Sequence, residues 1–256
     1  MLHAVLVGVD RYLDPGIASL RYAAADAVAM AELVSRVEPA EREITLLLDA
    51  DATRRNVVME IGERLPRAVA PGDVVLIYFA AHGSPESDPA DPDDVARYLV
   101  AHDTELDHVY TTGITMEHQL QSWLARLSGP RLVMVVIDAC FSGMAGGRTF
   151  EGPTLRRRRE GTRVPGVVSL KDLDLGEGRL IMSACGEHQV AREFASLGHG
   201  VFTHYLLRGP GQVEGATVGV HELYEKVAGA VRRHTKGRQV PVLNGRSAIP
   251  RLPRLW

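Results

Sequence analysis

The chain has little cysteine, few aromatics and no long apolar run, and each scarcity narrows what it can be. Cys140 and Cys185 are its only cysteines in 256 residues, too few for a disulfide framework or a structural zinc site. Such usage suits a reduced, cytoplasmic setting and leaves a free reactive thiol available. No apolar stretch approaches the roughly 18 residues of a membrane span. The net charge of -3 gives no global attraction to nucleic acid or to an anionic membrane. The ten histidines form no His-Glu-Xaa-Xaa-His zinc pattern. A GxxxxGK phosphate loop and a Gly-Xaa-Ser-Xaa-Gly nucleophile elbow are also absent. No cofactor and no resident metal are expected on these grounds. The opening "MLHAVLVGVD" has no basic n-region and no small-residue cleavage site, so it reads as a first strand and not a signal peptide.

What is present is ordinary globular sequence, 45% hydrophobic and 24% charged. Apolar, β-branched runs at 3–9, 44–48, 74–81, 131–138 and 179–185 read as strands, with a shorter one at 96–101. Helical spacing of apolar residues covers 22–37, 53–69, 115–127, 200–209 and 220–235. Thr53 and Thr115 stand where helix caps belong, and Pro66 bends or ends the second helix. Unbroken strands alternating with helices indicate an α/β domain with a mostly parallel central sheet and helices on both faces. One domain over 1–256 accommodates all of it. Two segments break the pattern: "PESDPADPDD" at 85–94, read as an acidic loop, and a Gly- and Arg-rich connection at 144–178. Connections of that second length tend to be functional or disordered.

Both segments follow a strand that ends on a reactive side chain. "VLIYFAAHGS" runs into His82, and "RLVMVVIDACFSG" runs into Cys140. Ligands of parallel sheets bind beyond the carboxyl ends of the strands. Small residues follow each: Gly83 and Ser84, then Ser142 and Gly143. They let a substrate backbone approach and leave N–H groups to face a developing oxyanion. A thiol used as a nucleophile needs an imidazole to take its proton and later to protonate a leaving group. Alone, His82 reads as a satisfied strand-end residue and Cys140 as a small core hydrophobe. Two matching contexts together favour chemistry. Cys185 also ends a strand, with His188 three positions on, and reads as a wall of the same cleft. His102 and Asp103 either shape that cleft or stabilise a turn. The basic stretch 226–254 reads as a solvated face.

"YFAAHGS" followed by "VVIDACFSG" resembles the His-Gly and Asp-Xaa-Cys-Xaa-Ser-Gly motifs of caspase-like cysteine peptidases, in their metacaspase and bacterial orthocaspase branch. The resemblance extends to "AVLVGVDRYLDPGIASLRYAAADAVAMAELV", "LIMSACGEHQVAREF", "GHGVFTHYLL" and "VGVHELYEKVAGAVRRHTKGRQVPVLNG", nearly the whole chain. Two departures stand beside it. "AAAD" replaces a frequent Cys-Xaa-Asn-Asp, and Ala80 stands where relatives often have serine.

The resemblance implies a caspase-like (caspase-hemoglobinase) fold and peptide hydrolysis through an acyl-enzyme. Cys140 is then the nucleophile and His82 the general base and acid, with no acidic partner visible for His82. The backbone N–H groups of Gly83 and Cys140 would hold the oxyanion. Asp138 and Asp26 match the positions that line an Arg/Lys pocket. A carboxylate beside the nucleophile also suits a basic P1 side chain on elementary grounds. The expected partners are peptides or proteins with basic P1 residues, and regulatory domains or proteins outside this chain. Some relatives require calcium, which the sequence leaves open. An enzyme that cuts after arginine has candidate sites in its own connection at Arg156, Arg157, Arg158, Arg159 and Arg163. The alternative is a catalytically silent caspase-like scaffold or interaction module, against which the presence of both His82 and Cys140 weighs.

Overall fold

The apolar runs of the sequence become strands of a sheet buried on both sides. The computed structural model describes residues 1–88, 90–91, 95–141, 147–150, 153, 175–186, 189–209 and 219–247. Its strands are β1 (Leu2–Gly8), β2 (Arg42–Leu48), β3 (Val74–Ala80), β4 (Gly83–Ser87), β5 (Val95–Leu99), β6 (Ile114–Thr115), β7 (Leu132–Asp138), β8 (Arg179–Ser183), β9 (Glu193–Phe194), β10 (His199–Gly200) and β11 (Val242–Arg246). The helices are α1 (Ala23–Val34), α2 (Arg54–Met59), α3 (Leu65–Ala68), α4 (Val109–Thr112), α5 (Met116–Arg126), α6 (Val201–Arg208) and α7 (Val220–His234).

The main sheet has six strands in the order β11-β8-β7-β3-β1-β2. All neighbours are parallel except the edge pair β11 and β8. Alternate residues of each strand face opposite layers. On one face Leu6, Tyr78 and Val136 meet α1, α6 and α7 through Ala27, Phe202 and Leu223. On the other, Val7, Phe79 and Ile137 meet α2, α3 and α5 through Val57, Leu65 and Trp123. Phe79 and Trp123 stack with centroids 6.2 Å apart.

Three local features refine the sequence reading. Thr53 caps α2 as its position suggests, its hydroxyl accepting from the Asn56 N–H at 3.2 Å. Between α2 and α3 the chain widens into a π turn, Glu60–Arg64. Pro66 has no N–H to return to the preceding turn, and the widened turn carries the chain into α3. The acidic segment after His82 does not begin as a loop. Gly83–Ser87 forms β4, antiparallel to β5, in a small three-stranded sheet with β6. Pro85 is tolerated there because β4 is an edge strand. The β11 strand was also unforeseen, since "VLNGR" is short and carries an Asn-Gly pair.

No described helix is long and apolar enough to cross a membrane. Trp123 packs on Phe79 in the layer of α2, α3 and α5, so Trp123→Ala should act chiefly on stability. A cavity of that size costs about 3–5 kcal/mol. A lower urea midpoint with an unchanged slope is the expected readout.

Candidate active site

Register places the two side chains. β3 and β7 are parallel neighbours with Ala80 opposite Asp138. His82 and Cys140 each lie two residues further along, at the same level of the sheet's carboxyl edge. The imidazole is buried, with Nε2 2.8 Å from the Ala18 carbonyl. A carbonyl only accepts, so Nε2 carries the hydrogen and Nδ1 the lone pair. Nδ1 is buried and makes no hydrogen bond. The ring lies between Tyr12, 5.4 Å away, and the edge of Phe150, 5.7 Å away. The Cys140 thiol is buried and donates to the Gln189 carbonyl.

An arginine that the sequence reading passed over occupies the space beside them. Arg148 is fully buried, eight positions after Cys140. Its Nη2 pairs with Asp26 Oδ2 and, at 2.9 Å, with Glu193 Oε1. Its Nη1 lies 3.1 Å from Asp138 Oδ2 and donates to the Asp138 carbonyl at 3.0 Å. Its Nε donates to Glu193 at 3.2 Å. The Arg148 backbone is held with equal care. Its carbonyl accepts from the N–H of Gly83 at 3.0 Å and from that of Cys140 at 3.2 Å, and its own N–H donates to Ala191 at 3.2 Å. Thr149 then bridges Gly83 in parallel fashion, and the Phe150 N–H donates to the Gly83 carbonyl at 3.2 Å.

Local structure explains each carboxylate. Asp10, just beyond β1, accepts from the Ala23 N–H at 2.7 Å and so caps α1 from outside the helix. That fixes Asp26 in the first turn of α1, where the helix dipole favours a negative charge. Asp26 also accepts from His199 Nδ1 at 2.7 Å and from the Gly200 N–H at 3.1 Å. Asp138 closes β7, and its Oδ2 accepts from the Thr203 hydroxyl at 2.6 Å, which in turn lies 2.6 Å from the Tyr78 hydroxyl. Gly200 makes the seat possible. A Cβ there would stand 2.7 Å from Asp138 Oδ2 and 2.9 Å from Arg148 Nη2. Gly147, with φ +138°, brings the chain hard against Val190 and Ala191 in a conformation open to glycine.

Burial sets the protonation of this cluster. It pushes the Asp138 carboxyl up to about 6; Arg148 pulls it down, Asp26 adds to the rise and the Thr203 bond opposes it. Burial works against the Arg148 charge, but Asp138 and Asp26 outweigh it and hold the guanidinium well above its ordinary value. Burial also depresses His82 to about 4, against the Ala18 bond and with help from the Arg148 charge. The imidazole is therefore neutral at pH 7. The hydrogen bond between Cys185 and Cys140, followed by burial, raises the Cys185 thiol well above the usual thiol range, so it stays protonated.

The structure thus brings His82, Gly83, Cys140, Asp138 and Asp26 to one place. Cys185 is there too, its Sγ 3.2 Å from that of Cys140. His102 and Asp103 serve turns: His102 Nδ1 binds the Arg11 carbonyl at 2.6 Å, and Asp103 accepts from the Arg54 N–H that opens α2. Arg156, Arg157, Arg158, Arg159, Arg163, His188, Ser142 and Gly143 lie outside the described residues. Ala18, Arg148, Glu193, Gly200 and Thr203 were missed. "GGRTF" offered the one usable signal, an arginine preceded by glycines shortly after the nucleophile. Among the described residues no three His, Cys, Asp or Glu side chains are grouped to hold a metal.

Comparison with known proteins gives the fold and the family. A solved structure of protein GSU0716 from Geobacter sulfurreducens superposes with a TM-score of 0.71 at 23% identity, covering 99% of this chain and 98% of that one. Caspase-1 from Spodoptera frugiperda superposes with a TM-score of 0.62 at 13% identity, over 96% of this chain and 87% of its own. No curated protein matches the sequence. The family model described as the caspase domain matches residues 1–252. With that match over almost its whole length and a caspase fold around His82 and Cys140, the chain belongs to the caspase-domain family.

Proposed function

We propose that this protein is a cysteine endopeptidase of the metacaspase and orthocaspase type, cutting peptide bonds after arginine or lysine in a reducing, cytoplasmic setting. The observation that carries the reading is the seat of Arg148, a buried guanidinium among Asp26, Asp138 and Glu193 with its carbonyl on the N–H groups of Gly83 and Cys140. A substrate arginine set in the same seat presents its carbonyl to the nucleophile's own backbone amide. The two N–H groups then face the oxygen on which negative charge develops.

The steps follow from the groups present. His82 Nδ1 takes the Cys140 proton, and the sulfur adds to the P1 carbonyl carbon. The tetrahedral oxyanion rests on Gly83 and Cys140. The C–N bond breaks as His82 returns the proton to the leaving amine, leaving a thioester on Cys140. Water, deprotonated by His82, then releases the acid. Ala18 takes the orienting part that an aspartate or asparagine plays for other catalytic histidines, through its carbonyl on Nε2. With both His82 and Cys140 in place, nothing in the site favours the silent scaffold.

A fluorogenic peptide library varied at P1 tests the reading, with Cys140→Ala as control. Arginine and lysine peptides should be cut and aspartate peptides spared. Cys140→Ala should abolish turnover, whereas Cys185→Ala should retain most of it; turnover surviving in C140A would overturn the assignment.

Asp138→Asn should lower kcat/KM for arginine peptides by about two orders of magnitude, as expected when a buried charge pair worth about 2–5 kcal/mol is broken. A loss confined to basic P1 residues separates this from general damage.

The pH profile follows from the directions above. His82 stays a free base down to about pH 4. Asp138, up at about 6, must be ionised to bind the cation. With a substrate arginine in the seat that Arg148 fills, kcat on arginine peptides should therefore fall as pH drops through about 6. The Thr203 hydroxyl holds the Asp138 value down, so Thr203→Val should move this acid limb to higher pH. A limb near 4 that Thr203→Val leaves in place would assign it to His82 instead.

A further inference from the structure

The arginine in the seat belongs to this chain, and it is bound as a substrate would be. Four contacts say so independently. The guanidinium meets three carboxylates. The carbonyl oxygen meets the two N–H groups of Gly83 and Cys140. The N–H of Arg148 pairs with Ala191 on one side of the cleft. On the other, Thr149 and Phe150 run along Gly83, past His82. A purely structural arginine needs the first contact only. It does not need its carbonyl on the nucleophile's own N–H, nor the next residue laid beside the histidine.

Building on the peptidase reading, we propose that the Arg148–Thr149 bond is the protein's own scissile bond, and that the intact chain is latent because Arg148 fills the pocket an outside arginine requires. The expectation that self-cleavage falls among Arg156–Arg159 and Arg163 is thereby moved. A run of arginines marks charge density, whereas the seat holds one arginine in register with the nucleophile. The short connection from Cys140 to Arg148 keeps that arginine at high effective concentration, so the cut is intramolecular.

In the described state the thiol donates to the Gln189 carbonyl, and it must leave that bond before reaction. Its proton then passes to Nδ1 of His82, and sulfur bonds to the Arg148 carbonyl carbon. The Arg148–Thr149 C–N bond breaks, Thr149 leaves as an amine with the proton from His82, and a thioester joins Cys140 to Arg148. Water adds to the thioester and gives one proton to His82, and the acid formed loses its other proton to solvent to become the Arg148 carboxylate. Cys140 leaves as thiolate and recovers its proton from His82. No outside oxidant, reductant or group donor is required. The cut separates Arg148 from Thr149 and Phe150, whose pairing with Gly83 helps to hold it, and so lets it exchange with an outside arginine.

The experiment follows purified full-length protein by intact mass and N-terminal sequencing, with and without added calcium, beside an Arg-P1 fluorogenic peptide. Wild type should give residues 1–148 and 149–256, with Thr149 as the new N-terminus and a first-order rate unchanged over a ten-fold dilution. Peptide turnover should rise after a lag that matches the cut. Cys140→Ala should stay whole, and Arg148→Lys, which keeps a cation in the seat, should still be cut at the same bond. Arg148→Gln should remain uncut there. Because that variant leaves buried carboxylates without their partner, Thr149→Pro, which keeps Arg148, gives a second uncut form. Peptide turnover without a lag while the 148–149 bond stays intact, or cleavage only at 154–163, would overturn this inference and leave the peptidase reading standing. Absence of turnover on every peptide together with an uncut chain would remove both.

Discussion

A guanidinium sealed among Asp26, Asp138 and Glu193 is the interaction on which the site depends. Each carboxylate arrives on a different element: α1, the end of β7, and β9. Buried charges lose their hydration, and an ion pair recovers this only with full hydrogen bonding. Here Nε, Nη1 and Nη2 of Arg148 each find a carboxylate or a carbonyl. A well-packed apolar plug would stabilise the same space at least as well. Stability therefore does not explain three acids around one cation. The proposed exchange of one arginine for another would.

The same burial divides labour between the titrating groups. It keeps His82 neutral, with Nδ1 buried and unbonded and Nε2 fixed by Ala18. It drives Asp138 up, and the Tyr78–Thr203–Asp138 chain of hydroxyls counters that rise. One cause thus moves the two values in opposite directions, because loss of water disfavours charge on imidazole and carboxylate alike. A cleft of about 450 Å³ opens beside His82, Thr149 and Phe150, on the side where a leaving peptide would run. Cys185 is held as a thiol against Cys140.

Much of this was legible in the one-dimensional pattern. Continuous apolar runs can only be strands buried on both faces, so the parallel sheet and its two helical layers followed. His82 and Cys140 were visible because each ends such a run, where ligands gather at the carboxyl edge. Asp138 was visible as the carboxylate two positions before Cys140. The acidic segment misled at Pro85–Ser87, where proline and acid suggest a loop but an edge strand tolerates both.

Sequence alone, then, determined the elements, the order in which they alternate, and the side chains standing at strand ends, because those depend on periodicity and short-range preference. Tertiary structure alone decided which arginine enters the pocket, which backbone carbonyl orients His82, and which third acid joins Asp26 and Asp138. Arg148 and Asp26 are 122 positions apart, and His82 and Ala18 are 64. A carbonyl has no side-chain signature, and an arginine in a Gly-rich stretch looks solvated until the fold removes its water. What makes these groups functional is desolvation and mutual register, and both come into being only when the sheet edge, α1 and the segment after Cys140 close over one another.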